Sequence, residues 1–145
     1  MTIYALSSGA GISGVAVIRL SGQDTSKVIQ LLTGKEPPKP RVATLRKINK
    51  INTSELIDEG LILWFPGPES YTGEDMAEIQ VHGSKAVVDA LHSSLSDVEN
   101  CRLAEPGEFT KLAFQNGKIN LLKAESIADL LSLIHISEPT RRHSI

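Results

Sequence analysis

The stretch TIYALSSGAGISGVAVIRLSG, Thr2 to Gly22, decides the fold class. Two apolar pieces, Ile3 to Leu6 and Val15 to Leu20, read as strands, and the glycine-rich loop Ser7 to Gly14 lies between them. Within that loop Gly9, Gly11 and Gly14 spell G-x-G-x-x-G, the string of a dinucleotide-binding turn. Such a turn must open a helix whose N-terminus receives the pyrophosphate. Here Gly14 runs directly into Val15-Ala16-Val17-Ile18, a β-branched strand, so the doubly wound nucleotide fold is rejected by its own neighbour. A kinase glycine loop does sit between strands, but 145 residues are too few for a kinase and neither H-R-D nor D-F-G occurs. Two readings remain: a tight turn where backbone approaches backbone, or a dedicated ligand loop.

Outward from this hairpin, Gln23 to Leu32 places Val28, Ile29, Leu31 and Leu32 at helical spacing, with Gly34 as the stop. Pro37, Pro38 and Pro40 form a connector. Val42 to Ile48 reads as a strand leading to a polar turn at Asn49 to Ser54, and Gly60 to Phe65 as another strand, ended by Pro66-Gly67-Pro68. Met76 to His82 alternates, with Ala77, Ile79 and Val81 on one face and Met76, Glu78, Gln80 and His82 on the other. Ser84 to Leu95 is an amphipathic helix through Val87, Val88, Leu91 and Leu95. Phe109 to Phe114 and Leu121 to Leu131 are two more helices. Strands and helices follow without a regular alternating beat, which predicts an α+β fold with a mixed sheet and packed helices. From Leu133 to Ile145 the helical period is lost, and Ser137-Glu138-Pro139-Thr140-Arg141-Arg142 breaks the pattern; this stretch is expected to be a non-native tail.

The length suits one domain. Fifteen basic against seventeen acidic residues leave a charge of -2, which argues against a broad basic face for gripping phosphate backbones. A single cysteine, Cys101, excludes an internal disulfide framework and fits a reducing compartment. No run approaches the roughly 18 apolar residues of a membrane span, and Met1 opens neither a secretory signal nor an Arg-rich transit peptide, so no membrane association is expected. There is no G-x-x-x-x-G-K-[ST], so this stretch is not expected to hydrolyse a nucleotide. No metal site is expected either: His82 and His92 fall in different elements, and His135 and His143 lie in the tail. No serine sits in a nucleophile's context, so no catalytic residue is assigned.

Three charged residues at ordered elements remain: Arg19, Glu78 and Lys118. Arg19 shares a strand face with Val15 and Val17, as either a structural ion pair or a ligand contact. Glu78 lies on the polar side of its strand, as solvated surface or as an acceptor for a ligand. Lys118 follows Asn116-Gly117 at a helix end, where a cation favours the dipole with or without a ligand.

Three blocks carry a resemblance. Thr2 to Gly22 resembles the opening of the MnmE/TrmE family of tRNA-modification GTPases. LWFPGPESYTGEDMAEIQVHG, Leu63 to Gly83, resembles that family's proline-glycine turn, its aromatic-Thr-Gly-Glu-Asp block and the strand ending in His-Gly. RLAEPGEFTKLAFQNGKINLLKAESIADLL, Arg102 to Leu131, resembles its Pro-Gly-Glu-Phe-Thr and Asn-Gly-Lys blocks and the first helix of its central helical domain. The resemblance implies a fold similar to the tetrahydrofolate-binding domain of the glycine-cleavage T-protein. It implies residues 1–118 as a folate-binding and homodimerisation domain, 119–132 as a truncated start of the helical domain, and 133–145 as the tail.

By the same resemblance the ligand is 5-formyltetrahydrofolate or another reduced folate, and the family's folate contacts fall on Arg19, Glu78 and Lys118. The whole protein would modify the C5 position of a wobble uridine in tRNA, with a flavin-dependent MnmG/GidA-type partner. GTP, Mg and K would belong to a GTPase domain outside this stretch. Where bacterial members carry a Pro-Pro-Gly-Arg-Gly-Gly type loop, this chain has Ser7 to Gly14, which resembles the mitochondrial branch; the alternative is a bacterial cytoplasm. Ser84 replaces a second glycine after His-Gly, in a turn expected to be tight for serine. Two rivals stand beside this reading: a dimerisation scaffold whose charged residues form only structural pairs, and an aminomethyltransferase of the T-protein type.

Overall fold

A computed structural model of the chain describes residues 1–7, 14–120 and 122–123. Strands β1 (Thr2–Leu6) and β2 (Val15–Ser21) form an antiparallel hairpin with Tyr4 opposite Leu20. Helix α1 (Thr25–Thr33) follows, then the antiparallel meander β3 (Thr44–Asn49), β4 (Leu56–Phe65) and β5 (Met76–His82). Helix α2 (Lys85–Ser96), the short strand β6 (Cys101–Leu103) and helix α3 (Glu108–Gln115) complete the described elements. The sheet order is β3-β4-β5-β2-β1-β6. Its two local units meet where β2 pairs antiparallel with β5, and β6 pairs parallel with β1, which makes the sheet mixed and the fold α+β, as the sequence predicts.

One face of this sheet is covered. Ala16, Ile18 and Leu20 of β2, Ala77, Ile79 and Val81 of β5, Ile62 of β4 and Ile48 of β3 are buried with Val28, Ile29 and Leu32 of α1 and Leu91 and Leu95 of α2. Each enclosed Leu or Ile contributes roughly 1.5–3 kcal/mol over an exposed one, so the period-2 faces of β2 and β5 fix their own register. On the other face Val17, Arg19, Leu61, Leu63, Glu78 and Gln80 are all half-buried. That face carries the candidate site.

Local chemistry sets the ends of the helices. Gly34 terminates α1 in the left-handed region at φ 71°, returning its amide to the Gln30 carbonyl at 2.8 Å. Ser84 is extended and not strained; its hydroxyl accepts from the Val87 amide at 3.2 Å and caps α2. The expectation of a turn too tight for serine is therefore corrected: an N-cap is where serine does best.

Two strand starts differ from the sequence reading, and one strand was not read in the sequence. β4 begins at Leu56 and not Gly60, because pairing with β3 draws the charged stretch around Asp58 and Glu59 into the ladder. β3 begins at Thr44, after a turn in which the Val42 amide bonds the Lys39 carbonyl. β6 has three residues, too few to display a period, and exists because β1 offers a free edge. The loop residues 8–13, the helix expected from Leu121 to Leu131 apart from Leu122 and Lys123, and the tail lie outside the described residues. No helix among the described residues is long and apolar enough to cross a membrane.

Candidate functional site

Arg19 and Glu78 are directly opposite each other across the β2–β5 join, with Leu63 on the far side of Glu78 and Ala5 on the far side of Arg19. Opposed residues share a face, so all four side chains project from the side opposite α1 and α2. The Arg19 Nη2 donates to Glu78 Oε1 at 3.2 Å, the two side chains being 35% and 23% exposed. Glu78 is thus not plain solvated surface. Among the described residues its Oε2 accepts no hydrogen bond.

The pair forms one side of a cavity of about 410 Å³ whose remaining wall includes Phe65, Tyr71 and Met76. A second cavity of about 450 Å³ adjoins it, lined by Arg41, Glu69, Lys118 and Lys123, and Phe65 and Tyr71 border both. Of the three residues singled out in the sequence, two are in contact. Lys118 stands in the neighbouring cavity, across the aromatic wall, with no ion pair to either among the described residues.

The ten residues between β4 and β5 hold this arrangement. Pro66-Gly67-Pro68, with a cis Gly67–Pro68 bond, turns the chain, and the Gly67 amide donates to Asp75 Oδ1 at 2.8 Å. Thr72 is fully buried, its hydroxyl 2.7 Å from that of Ser21 on β2, and Ser21 donates on to Glu74 Oε1 at 3.0 Å. Asn116 Nδ2 donates to the Thr72 carbonyl at 2.7 Å, which ties the end of α3 to the loop. Gly73 sits at φ 83°, and a Cβ there would lie 3.1 Å from Asn116 Cβ and 3.3 Å from Lys118 Cε. The glycine leaves room for the lysine stem to cross the loop. Lys118 is fixed at its base, its amide bonding the Ala113 carbonyl at 2.8 Å.

Phe65, Tyr71 and Arg41 were not singled out in the sequence. Tyr71 follows the Pro-Gly-Pro turn by three residues and immediately precedes Thr72-Gly73-Glu74-Asp75; only the fold shows it as an exposed aromatic held beside a tied-down loop. Arg41 follows the proline connector at φ 64°, its amide bonding the Trp64 carbonyl at 2.9 Å and its Nη2 donating to the Glu69 carbonyl. Nothing in the local sequence announces that placement.

Two further hydrogen-bonded side-chain pairs flank the sheet. Asp58 accepts from the His82 amide at 2.8 Å and meets its Nδ1 at 2.9 Å. Burial pushes the Asp58 carboxyl up, but hydrogen bonds from the His82 amide and ring and the Glu59 amide outweigh it and hold it below the usual range. Arg102 bonds both oxygens of Glu108, Nη1 to Oε1 at 2.8 Å and Nη2 to Oε2 at 2.5 Å. That contact lowers the Glu108 carboxyl against opposing burial and anchors the first turn of α3 to β6. Among the described residues, no three His, Cys, Asp or Glu side chains cluster as a metal site.

An α+β domain with α1 and α2 on one face of a mixed sheet and a charged, aromatic-walled cleft on the other is the class that this fold and site define. Within it, residues 2–118 match the family described as GTP-binding protein TrmE N-terminus, and the chain belongs to that family. It is 80% identical over 132 residues to a tRNA modification GTPase MnmE of Pelagibacter ubique, covering 91% of this chain and 30% of that protein. It is 53% identical over 131 residues to the same-named protein of Sinorhizobium medicae, covering 90% and 29%. With a mitochondrial 5-taurinomethyluridine tRNA synthase subunit of Danio rerio it shares 48% over 130 residues, covering 90% and 26%. The chain spans about 30% of the length of the first of these relatives.

Proposed function

We propose that the chain binds a reduced folate such as 5-formyltetrahydrofolate in the cleft over Arg19 and Glu78, as the folate-binding part of a tRNA-modification GTPase. The observation that carries this reading is the Arg19–Glu78 pair itself: a carboxylate with one oxygen held by a guanidinium and the other unengaged among the described residues, facing a cavity walled by Phe65 and Tyr71. A pterin ring presents adjacent N–H donors on one edge, which a carboxylate accepts in parallel, and its flat faces suit aromatic walls. Lys118, which lines the adjoining cavity, is the cation assigned in this reading to the carboxylates at the other end of the molecule. The bound folate would supply a one-carbon unit for the C5 position of a wobble uridine.

The rest of the reading rests on family membership. Residues 1–118 are proposed as the folate-binding and homodimer-forming domain, 119–132 as the start of a helical domain and 133–145 as a non-native tail. GTP, Mg and K belong to a GTPase domain, a flavin-dependent MnmG/GidA-type protein is the partner, and tRNA is the substrate of the complex. The 80% identity to a bacterial relative, against 48% to the mitochondrial one, favours a bacterial cytoplasm over the mitochondrion expected from the Ser7 to Gly14 loop.

Isothermal titration of the chain with 5-formyltetrahydrofolate tests the site. Saturable binding is expected, weakened at least tenfold by Arg19→Ala or Glu78→Gln, since each charged hydrogen bond is worth roughly 1.5–3 kcal/mol in a partly enclosed site. The ion pair also suits the scaffold reading, in which it merely holds β2 to β5. Absence of binding by a folded sample would establish that reading instead.

A further inference from the structure

We infer that the second cavity, around Arg41, Lys118 and Lys123, receives a γ-linked polyglutamate tail, so that the chain selects polyglutamylated folate over the monoglutamate. This rests on the folate reading above and adds to it a substrate class. The cavity shares its Phe65 and Tyr71 wall with the cleft over Glu78, so a ligand whose ring lies in the first emerges beside the second. Three cations face one acid, Glu69, in a chain whose net charge is -2, which makes this a local positive patch set against the overall balance. Among the described residues none of the three cations is ion-paired to a carboxylate.

The patch is also placed and not merely present. Arg41 is held by its amide on the Trp64 carbonyl and its guanidinium on the Glu69 carbonyl, and Lys118 by the Gly73 crossing. A monoglutamate brings two carboxylates and each added glutamyl unit brings one more, so a monoglutamate leaves one of the three cations unmatched and a longer tail can meet it.

Titration with 5-formyltetrahydrofolate carrying one, three or five glutamates tests this. The triglutamate is expected to bind roughly fivefold tighter than the monoglutamate, the yield of one extra exposed ion pair, and the gain should shrink in high salt. The tri-to-mono affinity ratio should collapse toward one in an Arg41→Ala/Lys123→Ala double variant whose circular dichroism is unchanged. Equal affinities for all three lengths, with the monoglutamate bound, would overturn the tail assignment and leave the folate reading standing. A ratio that survives in the double variant would also overturn it, placing the tail elsewhere. Failure of every length to bind would remove the folate reading and this inference together.

Discussion

Cys101 shows how much a single position can be told by its surroundings. Burial, with the Asp24 charge adding to it, pushes the thiol up to about 11, so at neutral pH almost none of it is thiolate. Only the thiolate reacts, and iodoacetamide should therefore label native Cys101 at least about a hundredfold more slowly than the urea-unfolded chain. Equal rates would mean that β6 opens readily. The contrast with Arg19 is instructive. Its pair with Glu78 is a third exposed, and ion pairs of that kind stabilise by about 1 kcal/mol or less. Arg19→Ala is accordingly expected to shift the urea midpoint little while weakening folate binding strongly, a separation that a purely structural pair would not give.

At the scale of elements, the loop between β4 and β5 decides the geometry of the cleft, and Gly73 is its most constrained point. Gly73→Ala forces a side chain into the left-handed region and against Asn116 and Lys118. It should cost about 1–2 kcal/mol, read as a lowered urea midpoint, and should weaken folate binding by displacing Lys118. An alanine variant with wild-type stability and affinity would show that the lysine's path does not depend on the glycine.

This loop also marks where sequence reading stops. The period-2 pattern of β2 and β5 placed Arg19 on one strand face with Val15 and Val17 and Glu78 on the polar face of its strand, because alternation is a property of consecutive residues. That the two are opposite each other is a matter of register between strands 59 positions apart, which no local pattern encodes. The aromatic wall and Arg41 were invisible for the same reason: Phe65 closes a strand, Arg41 follows prolines, and only the folded loop brings them to one cleft. β6 escaped notice because three residues carry no period.

For the molecule as a whole, three of the described groups shape the response to acid. Asp58 and Glu108 hold their protons less tightly in the folded chain than when unfolded, so their contribution is present above the ordinary carboxylate range and is lost as pH falls below about 4. His92 is lowered chiefly by burial, against a weaker opposing effect of Asp89, its Nε2 is enclosed without a hydrogen-bond partner, and its ring packs edge-on to Tyr4 at 5.7 Å. Neutral imidazole is the form that fits, and its contribution erodes as pH falls below about 6.5. Urea midpoints should therefore decline first between about pH 7 and about pH 5, and a His92→Gln variant should flatten that first decline. A variant with the same early decline would assign it to another group.

The sheet order carries a consequence for synthesis. The hairpin β1–β2 and the meander β3–β4–β5 are each local and can form as they leave the ribosome, but they join only through β2 and β5, once residue 82 has emerged. Arg19 and Glu78 stand on opposite sides of that seam. A nascent chain therefore carries Arg19 for 59 residues before Glu78 follows and the cleft can close, and a ligand gripping both residues rewards only the chain whose seam has closed.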